Sequence, residues 1–230
     1  MAISQRIAEI CETIETIRKN CGLKNEVFVM AAVKQREVYE IEEAFDAGLR
    51  YFGENRVQEA EDHLQKLDPK IRENIRYHFI GRLQSNKAKR AVKMFDSIDS
   101  VDSIKIAKEI DKFSSEINEV KDIMIEINLG EEQKGGAKID EIDPLLEMIF
   151  SLKNIRLTGL MAVPPFFEDP EKSRPFFRKM YKLFEQVKTK HPNPQFFKYL
   201  SMGMSNDYKA AIEEGSNMVR IGTLIFGARR

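Results

Sequence analysis

The chain has little that would mark a disulfide framework or a metal centre: two cysteines, Cys11 and Cys21, and three scattered histidines in 230 residues. Two thiols cannot staple a scaffold, and neither has metal-ligand spacing to a partner. They are expected to be reduced, partly buried thiols, and no zinc site is expected. An excess of one charge is missing too, since Lys plus Arg and Asp plus Glu number 37 each. Without a global field, nothing draws the chain toward nucleic acid or an anionic membrane, and any anion must be caught by a local site. No apolar run reaches the ~20 residues of a membrane span. The opening MAISQRIAEI reads as an amphipathic helix rather than a signal peptide, so a cytoplasmic protein is expected. No linker, low-complexity tract or long internal repeat divides the chain. Residues 1–230 are therefore expected to form one domain, with 42% hydrophobic residues to fill its core. No heptad or exposed apolar stripe stands out, and a monomer is expected.

What is present is alternation. Short β-rich runs at 27–33, 51–53, 77–80, 97–98, 123–128, 157–161, 199–202 and 219–222 are separated by helical patterns, with an extra helix at 2–20 before the first. Eight strands with right-handed helical crossovers close most naturally into an α/β fold of the (β/α)8 TIM-barrel type. An open doubly wound sheet is the alternative, but the Gly-rich dinucleotide turn that would favour it is absent after the first strand. Gly48 in AFDAGLRYFGEN and Gly215 in AIEEGSNMVRIGT suit the left-handed position after a helix end. GEEQKGGAK, 130–138, reads as the most flexible loop. The aromatic residues in 176–184 at helical spacing read as core.

In such a barrel the C-terminal strand ends converge on one mouth, so polar residues closing apolar strands are the candidates for chemistry. They are Lys34, Asn55, His78, Asn128, Ser201, Arg220 and Thr223. Closure makes the first and last strands neighbours, which puts Lys34 and Arg220 in one pocket. A lysine beside an arginine in a partly dry pocket holds its proton less firmly, and a free amine is what imine chemistry needs. The plainer reading is that Lys34 snorkels to solvent or pairs with Glu54. RIGT and SMGMSND outline an anion site: Gly222 allows close backbone approach, Thr223 and Ser201 offer hydroxyls, and Ser205 is placed to open a helix toward the mouth. A Ser cap with two tight turns explains the same residues without a ligand. Arg220 within a β-run requires an acceptor, either a carboxylate or a ligand atom such as a ring nitrogen. His78 reads more readily as a satisfied core histidine than as a catalytic group.

The stretches AAVK, IEEAFDAGLRYFGENRVQEAEDH, HFIGRLQSNKAK, IEINLGEEQKGG, LTGLMAVPP and YLSMGMSNDYKAAIEEGSNMVRIGTLIFGAR, in this order, resemble the pyridoxal phosphate homeostasis protein family. That resemblance implies a barrel like the N-terminal domain of alanine racemase, with pyridoxal 5′-phosphate at its mouth. By the same resemblance Lys34 forms the internal aldimine, Asn55 lies beside the cofactor and Arg220 faces the pyridine nitrogen. Gly222, Thr223, Ser201 and Ser205 match the phosphate-cradling positions, and His78 and Met161 line the pocket. The chain departs from the family in having Val33 before the lysine in place of Ser, Gln-Arg-Glu after it, Arg56 after FGEN in place of Tyr, and Tyr77 where Trp is frequent. These changes bear on the cofactor's edge and not on its anchor.

An arginine at the ring nitrogen cannot serve as the carboxylate that deepens the cofactor's electron sink. A two-base racemase also needs a group from a further domain, and the chain ends shortly after Gly222. The expected function is a non-catalytic carrier in cofactor homeostasis, which releases pyridoxal phosphate to other amines or apo-enzymes. A racemase or related isomerase and a lysine-dependent sugar-phosphate aldolase are the rivals. Lys134 is a second lysine that release could use.

Overall fold

A computed structural model of the chain describes residues 1–130 and 135–228. The alternating runs become eight parallel strands: β1 Phe28–Ala32, β2 Tyr51–Glu54, β3 Arg76–Phe79, β4 Ser97–Val101, β5 Lys121–Ile127, β6 Ile155–Ala162, β7 Tyr199–Met204 and β8 Met218–Ile221. Each pairs with the next, and β1 pairs with β8 in the register Phe28↔Met218 and Met30↔Arg220. The sheet is thus a closed barrel, and the open-sheet alternative is excluded. Around it run α1 Ile3–Asn20, α2 Val38–Asp46, α3 Val57–Lys66, α4 Pro69–Glu73, α5 Ala88–Met94, α6 Ile104–Glu116, α7 Ile142–Ser151, α8 Arg174–Lys190, α9 Tyr208–Glu213 and α10 Thr223–Phe226.

Several strands run longer than their apolar cores, because polar residues that look like strand ends are satisfied inside the barrel. β4 continues through Asp99, whose carboxylate takes bonds from Ser97 Oγ at 2.5 Å and His78 Nδ1 at 2.8 Å. β5 begins at Lys121, followed by Asp122, which binds Arg156 Nε at 2.7 Å and Arg76 Nη2 at 3.2 Å. Burying such groups is tolerable only when they are paired. β8 is shifted back by one residue from its expected place: it runs Met218–Ile221, and Gly222 caps the short helix α10, an element the sequence pattern did not reveal. α4 was also unforeseen, although Asp68 caps it and Pro69 opens it.

The outer wall of the barrel and the helices share one hydrophobic core. Inside the barrel, Met30, Met124, Met161 and Met218 form a separate cluster with Phe28, Tyr51, Ile80 and Tyr199 against it. Unbranched methionine suits an irregular interior that β-branched residues would fill only with strain. α1 buries an isoleucine stripe, Ile3, Ile7, Ile10, Ile14 and Ile17, against the ring. Arg6 Nη1 donates to Ile225 O at 3.1 Å, tying α1 to α10.

Gly48 and Gly215 adopt positive φ of 100° and 98°, as their helix-end positions require. Two expectations need correction. Cys11 and Cys21 are exposed free thiols, not partly buried ones: Cys11 lies off the isoleucine stripe, and Cys21 is the C-cap residue past the end of α1. Within 176–184, Phe177 and Phe184 are core but Tyr181 is 43% exposed, since it falls on the outer face of α8. Part of the 130–138 loop, including Lys134, lies outside the described residues. Among the described residues no helix is long and apolar enough to cross a membrane.

One close approach fixes the β6–β7 contact. A Cβ on Gly159 would lie 1.9 Å from Tyr199 O, against backbone that cannot yield. Gly159→Ala is expected to lower stability by about 1–3 kcal/mol, read as a reduced urea midpoint at unchanged slope.

Candidate functional site

The site is built around the β1–β8 seam. β1 ends in a turn at Lys34 and Gln35, closed by Arg36 N donating to Val33 O at 3.1 Å. Gln35 sits at φ 57°, a left-handed conformation that a non-glycine residue adopts at some cost, and its amide is held by Glu59 Oε2 at 3.1 Å. Lys34 is half-buried and makes no hydrogen bond or ion pair to any described residue. Its pairing with Glu54 does not occur. Glu54 points to the outer side of the wall, fully buried, where His63 Nδ1 lies 2.6 Å and the Tyr77 hydroxyl 3.2 Å from Oε1.

Next to this turn, Gly222 approaches β1: a Cβ built on it would lie 3.4 Å from Ala32 O. Two residues earlier, Arg220 is 4% exposed within the barrel. Its Nη1 donates to Ser201 O at 2.8 Å and Ser201 Oγ at 2.7 Å, and its Nη2 donates to Ala162 O at 2.7 Å. Three of the five guanidinium N–H groups are thereby used, and Nε has no partner among the described residues. The acceptor expected for Arg220 is therefore backbone and hydroxyl oxygen, not a directly bound carboxylate. Burial pushes the guanidinium down from its ordinary range, while the charges of Glu126, Asp99 and Asp207 act the other way. Glu126, half-buried on β5, is raised above the usual carboxylate range by burial, against the pull of Arg220.

The other sequence candidates fall at different depths. Asn55, half-buried, follows β2, and its carbonyl packs so closely on Gly81 that a Cβ there would lie 2.1 Å away. His78 is buried beneath the mouth, bonded to Asp99, and its Nε2 has no partner among the described residues. Met161 belongs to the interior cluster and is paired in register with Glu126 and Ser201. Asn128 Oδ1 accepts from Gly130 N at 2.8 Å, which ties down the start of the loop after β5.

At the anion side, Gly222, exposed Thr223 and half-buried Ser205 lie in the loops after β8 and β7, with Leu224 N donating to Ser205 Oγ at 3.4 Å across them. Ser205 does not open α9. That helix starts at Tyr208, and Asp207, whose Oδ1 accepts from Met204 N at 2.7 Å, occupies the capping position. Ser201 sits below this group with its hydroxyl already turned to Arg220, because a strand residue at that register faces the barrel axis and not the loops.

Sequence reasoning missed Glu126, Asp99 and the Glu54–His63 pair. The first two carried a readable signal: IEIN and SIDS alternate with period 2, which puts the acid on the methionine side of the strand. Glu54 and His63 come from different elements, and only the fold brings them together.

The chain matches the family model described as alanine racemase, N-terminal domain, over residues 6–230. It is 38% identical to the pyridoxal phosphate homeostasis protein of Aquifex aeolicus, with all of both chains covered. Its identity to the pyridoxal phosphate homeostasis protein of Escherichia coli is 36%, over 99% of this chain and 97% of that one. Among solved structures it resembles PipY of Synechococcus elongatus with pyridoxal phosphate bound, at TM-score 0.83 and 30% identity over 98% of this chain and all of that one. An alanine racemase from Bartonella henselae shares the fold, at TM-score 0.72 and 15% identity, with 60% of its length covered.

Ser201→Ala removes one acceptor from a buried cation and is expected to cost about 1–3 kcal/mol in urea unfolding. Ser205→Ala, which loses only one long bond at a half-exposed site, should stay within about 0.5 kcal/mol.

Proposed function

Because the chain belongs to the pyridoxal phosphate homeostasis protein family, built on the alanine racemase N-terminal domain, we propose that it binds pyridoxal 5′-phosphate at the barrel mouth, covalently through Lys34. It acts as a carrier that limits the free aldehyde and yields it to other amines, including apo-enzymes that need the cofactor. The observation that carries this reading is the Lys34 amine, half-buried at the β1–β8 seam without a partner among the described residues. The PipY structure with pyridoxal phosphate bound supports it.

The residues present fit the group. Arg220 keeps an N–H at Nε that the barrel does not use, which suits an unprotonated ring nitrogen. Ser205, Gly222 and Thr223 belong to the last two βα loops, the usual place for a phosphate in this fold. Asn55 lines the β2 side, with His78 and Met161 beneath. Ser201 serves the site by holding Arg220 and has a hydroxyl proton left to donate. When bound, the cofactor supplies an aldehyde that condenses with a primary amine with loss of one water, and a second amine or water reverses the bond.

The same residues argue against strong carbanion chemistry. Arg220, bonded to Ser201 and Ala162 and sharing its field with Glu126, would meet the ring nitrogen as a hydrogen-bond donor and not as the carboxylate that keeps that nitrogen protonated, so the electron sink stays shallow. One observation favours the racemase alternative, the unpartnered His78 Nε2. That nitrogen is buried below the mouth on a histidine tied to Asp99, a poor place from which to exchange protons with solvent.

Incubation with pyridoxal phosphate, borohydride reduction and peptide mapping should place the pyridoxyl group on the Lys34 peptide, and Lys34→Ala should lose both adduct and visible absorbance. An adduct elsewhere, or unchanged absorbance in Lys34→Ala, counts against the reading. Deuterium exchange at the α-carbon of alanine should not exceed that of the free cofactor; a much faster rate favours the isomerase.

A further inference from the structure

We propose that Glu54 and His63 form a positioning pair that holds the Lys34 turn and the segment after β8 in one fixed arrangement. The proposal rests on Lys34 as the attachment point argued above and adds residues outside the pocket that set its geometry.

The pair lies behind the barrel wall. Glu54 is 0% and His63 8% exposed. His63 Nε2 is 2.8 Å from Arg36 O, and since a carbonyl only accepts, Nε2 carries a proton. His63 Nδ1 is 2.6 Å from Glu54 Oε1, a separation that also requires a proton between them. The ring therefore bridges the carboxylate of β2 and the residue that closes the Lys34 turn.

Arg36 extends that link. Its amide spans the turn to Val33 O, its Nη2 donates to Gly227 O at 2.7 Å, and its guanidinium lies 5.2 Å from the Phe226 ring centre. α3 grips the turn a second time through Glu59 Oε2 on the Gln35 amide at 3.1 Å. The backbone on both sides of the Lys34 side chain, and the end of α10, thus follow the position of one histidine.

Simple satisfaction of a buried histidine does not account for this arrangement. Glu54 Oε2 is buried with no partner among the described residues, a destabilising feature that an apolar pair of similar volume would avoid. What the polar pair adds is direction, a fixed donor aimed at Arg36 O beside a turn held at positive φ.

The bridge needs both ring protons. The groups facing it are Glu54 on β2, Tyr77 on β3, Glu59 on α3, and Arg36 with its partner Glu40 on α2. Burial alone would push His63 down, but the bond to Glu54 and its charge outweigh this and raise it above the usual histidine range. A histidine raised on folding contributes stability that is complete below its unfolded value and is lost as pH rises through the folded value. The turn should therefore loosen on the alkaline side.

Glu54→Gln keeps the volume and lets a singly protonated ring still reach Arg36 O, while His63→Leu removes the bridge. For both, the rate at which ligand-free protein acquires visible absorbance on mixing with pyridoxal phosphate is followed from neutral to alkaline pH, alongside thermal melting. Wild type should show an alkaline fall that both variants lack, and His63→Leu should be at least roughly tenfold slower at neutral pH. Wild-type rates and pH profile in both variants, whatever the melting temperature, would overturn the proposal. If His63→Leu does not fold, Glu54→Gln decides by its pH profile. If wild type acquires no absorbance, it is the Lys34 assignment that fails, and NMR of the ligand-free protein then tests the pair. A doubly protonated His63 ring at neutral pH and shifted Lys34 and Gln35 amides in Glu54→Gln sustain it, whereas a singly protonated ring or unmoved amides refute it.

Discussion

The mouth of the barrel depends on one buried cation. Removing a guanidinium from water costs several kcal/mol unless its N–H groups find acceptors. Arg220 finds them in Ser201 and Ala162, the residues that carry β7 and the end of β6. Those bonds lock the last three strands together at the depth where the pocket begins. Because β8 is paired to β1 through Met30↔Arg220, the lock reaches the strand that delivers Lys34.

The interior is graded to match. Toward the strand starts, Asp122 is clamped between Arg76 and Arg156, and the aromatic rings of Phe28, Tyr51 and Tyr199 close the lumen. Methionines fill the middle. Toward the mouth come His78 with Asp99, then Glu126 with Arg220, and beyond them the loop residues Lys34, Asn55, Ser205, Gly222 and Thr223. On the proposed reading, a small anionic aldehyde would meet the Lys34 amine, the Arg220 Nε–H and two small-residue loops. On the same reading, that surface serves to hold the aldehyde.

Much of this was legible in the sequence. Eight short β-rich runs between helical patterns point to the barrel, and closure makes the strand of AAVK the neighbour of the strand of VRIG. Less was legible where a polar residue's partner lies on a distant element. Asp122 looks like a strand breaker until Arg76 and Arg156 are seen to satisfy it. Ser201 and Ser205 look alike as anion ligands, yet strand register turns the first inward to Arg220 and leaves the second in a loop. The Glu54–His63–Arg36 link could not be read at all, because its members are tied only by the packing of α3 against β2 and the Lys34 turn.

The most direct test of the central claim is the visible spectrum of purified chain titrated with pyridoxal phosphate. A protein-bound band that saturates at one cofactor per chain, and is discharged by an added small amine, is the predicted result. A spectrum that remains the sum of free cofactor and colourless protein at every ratio would contradict the account.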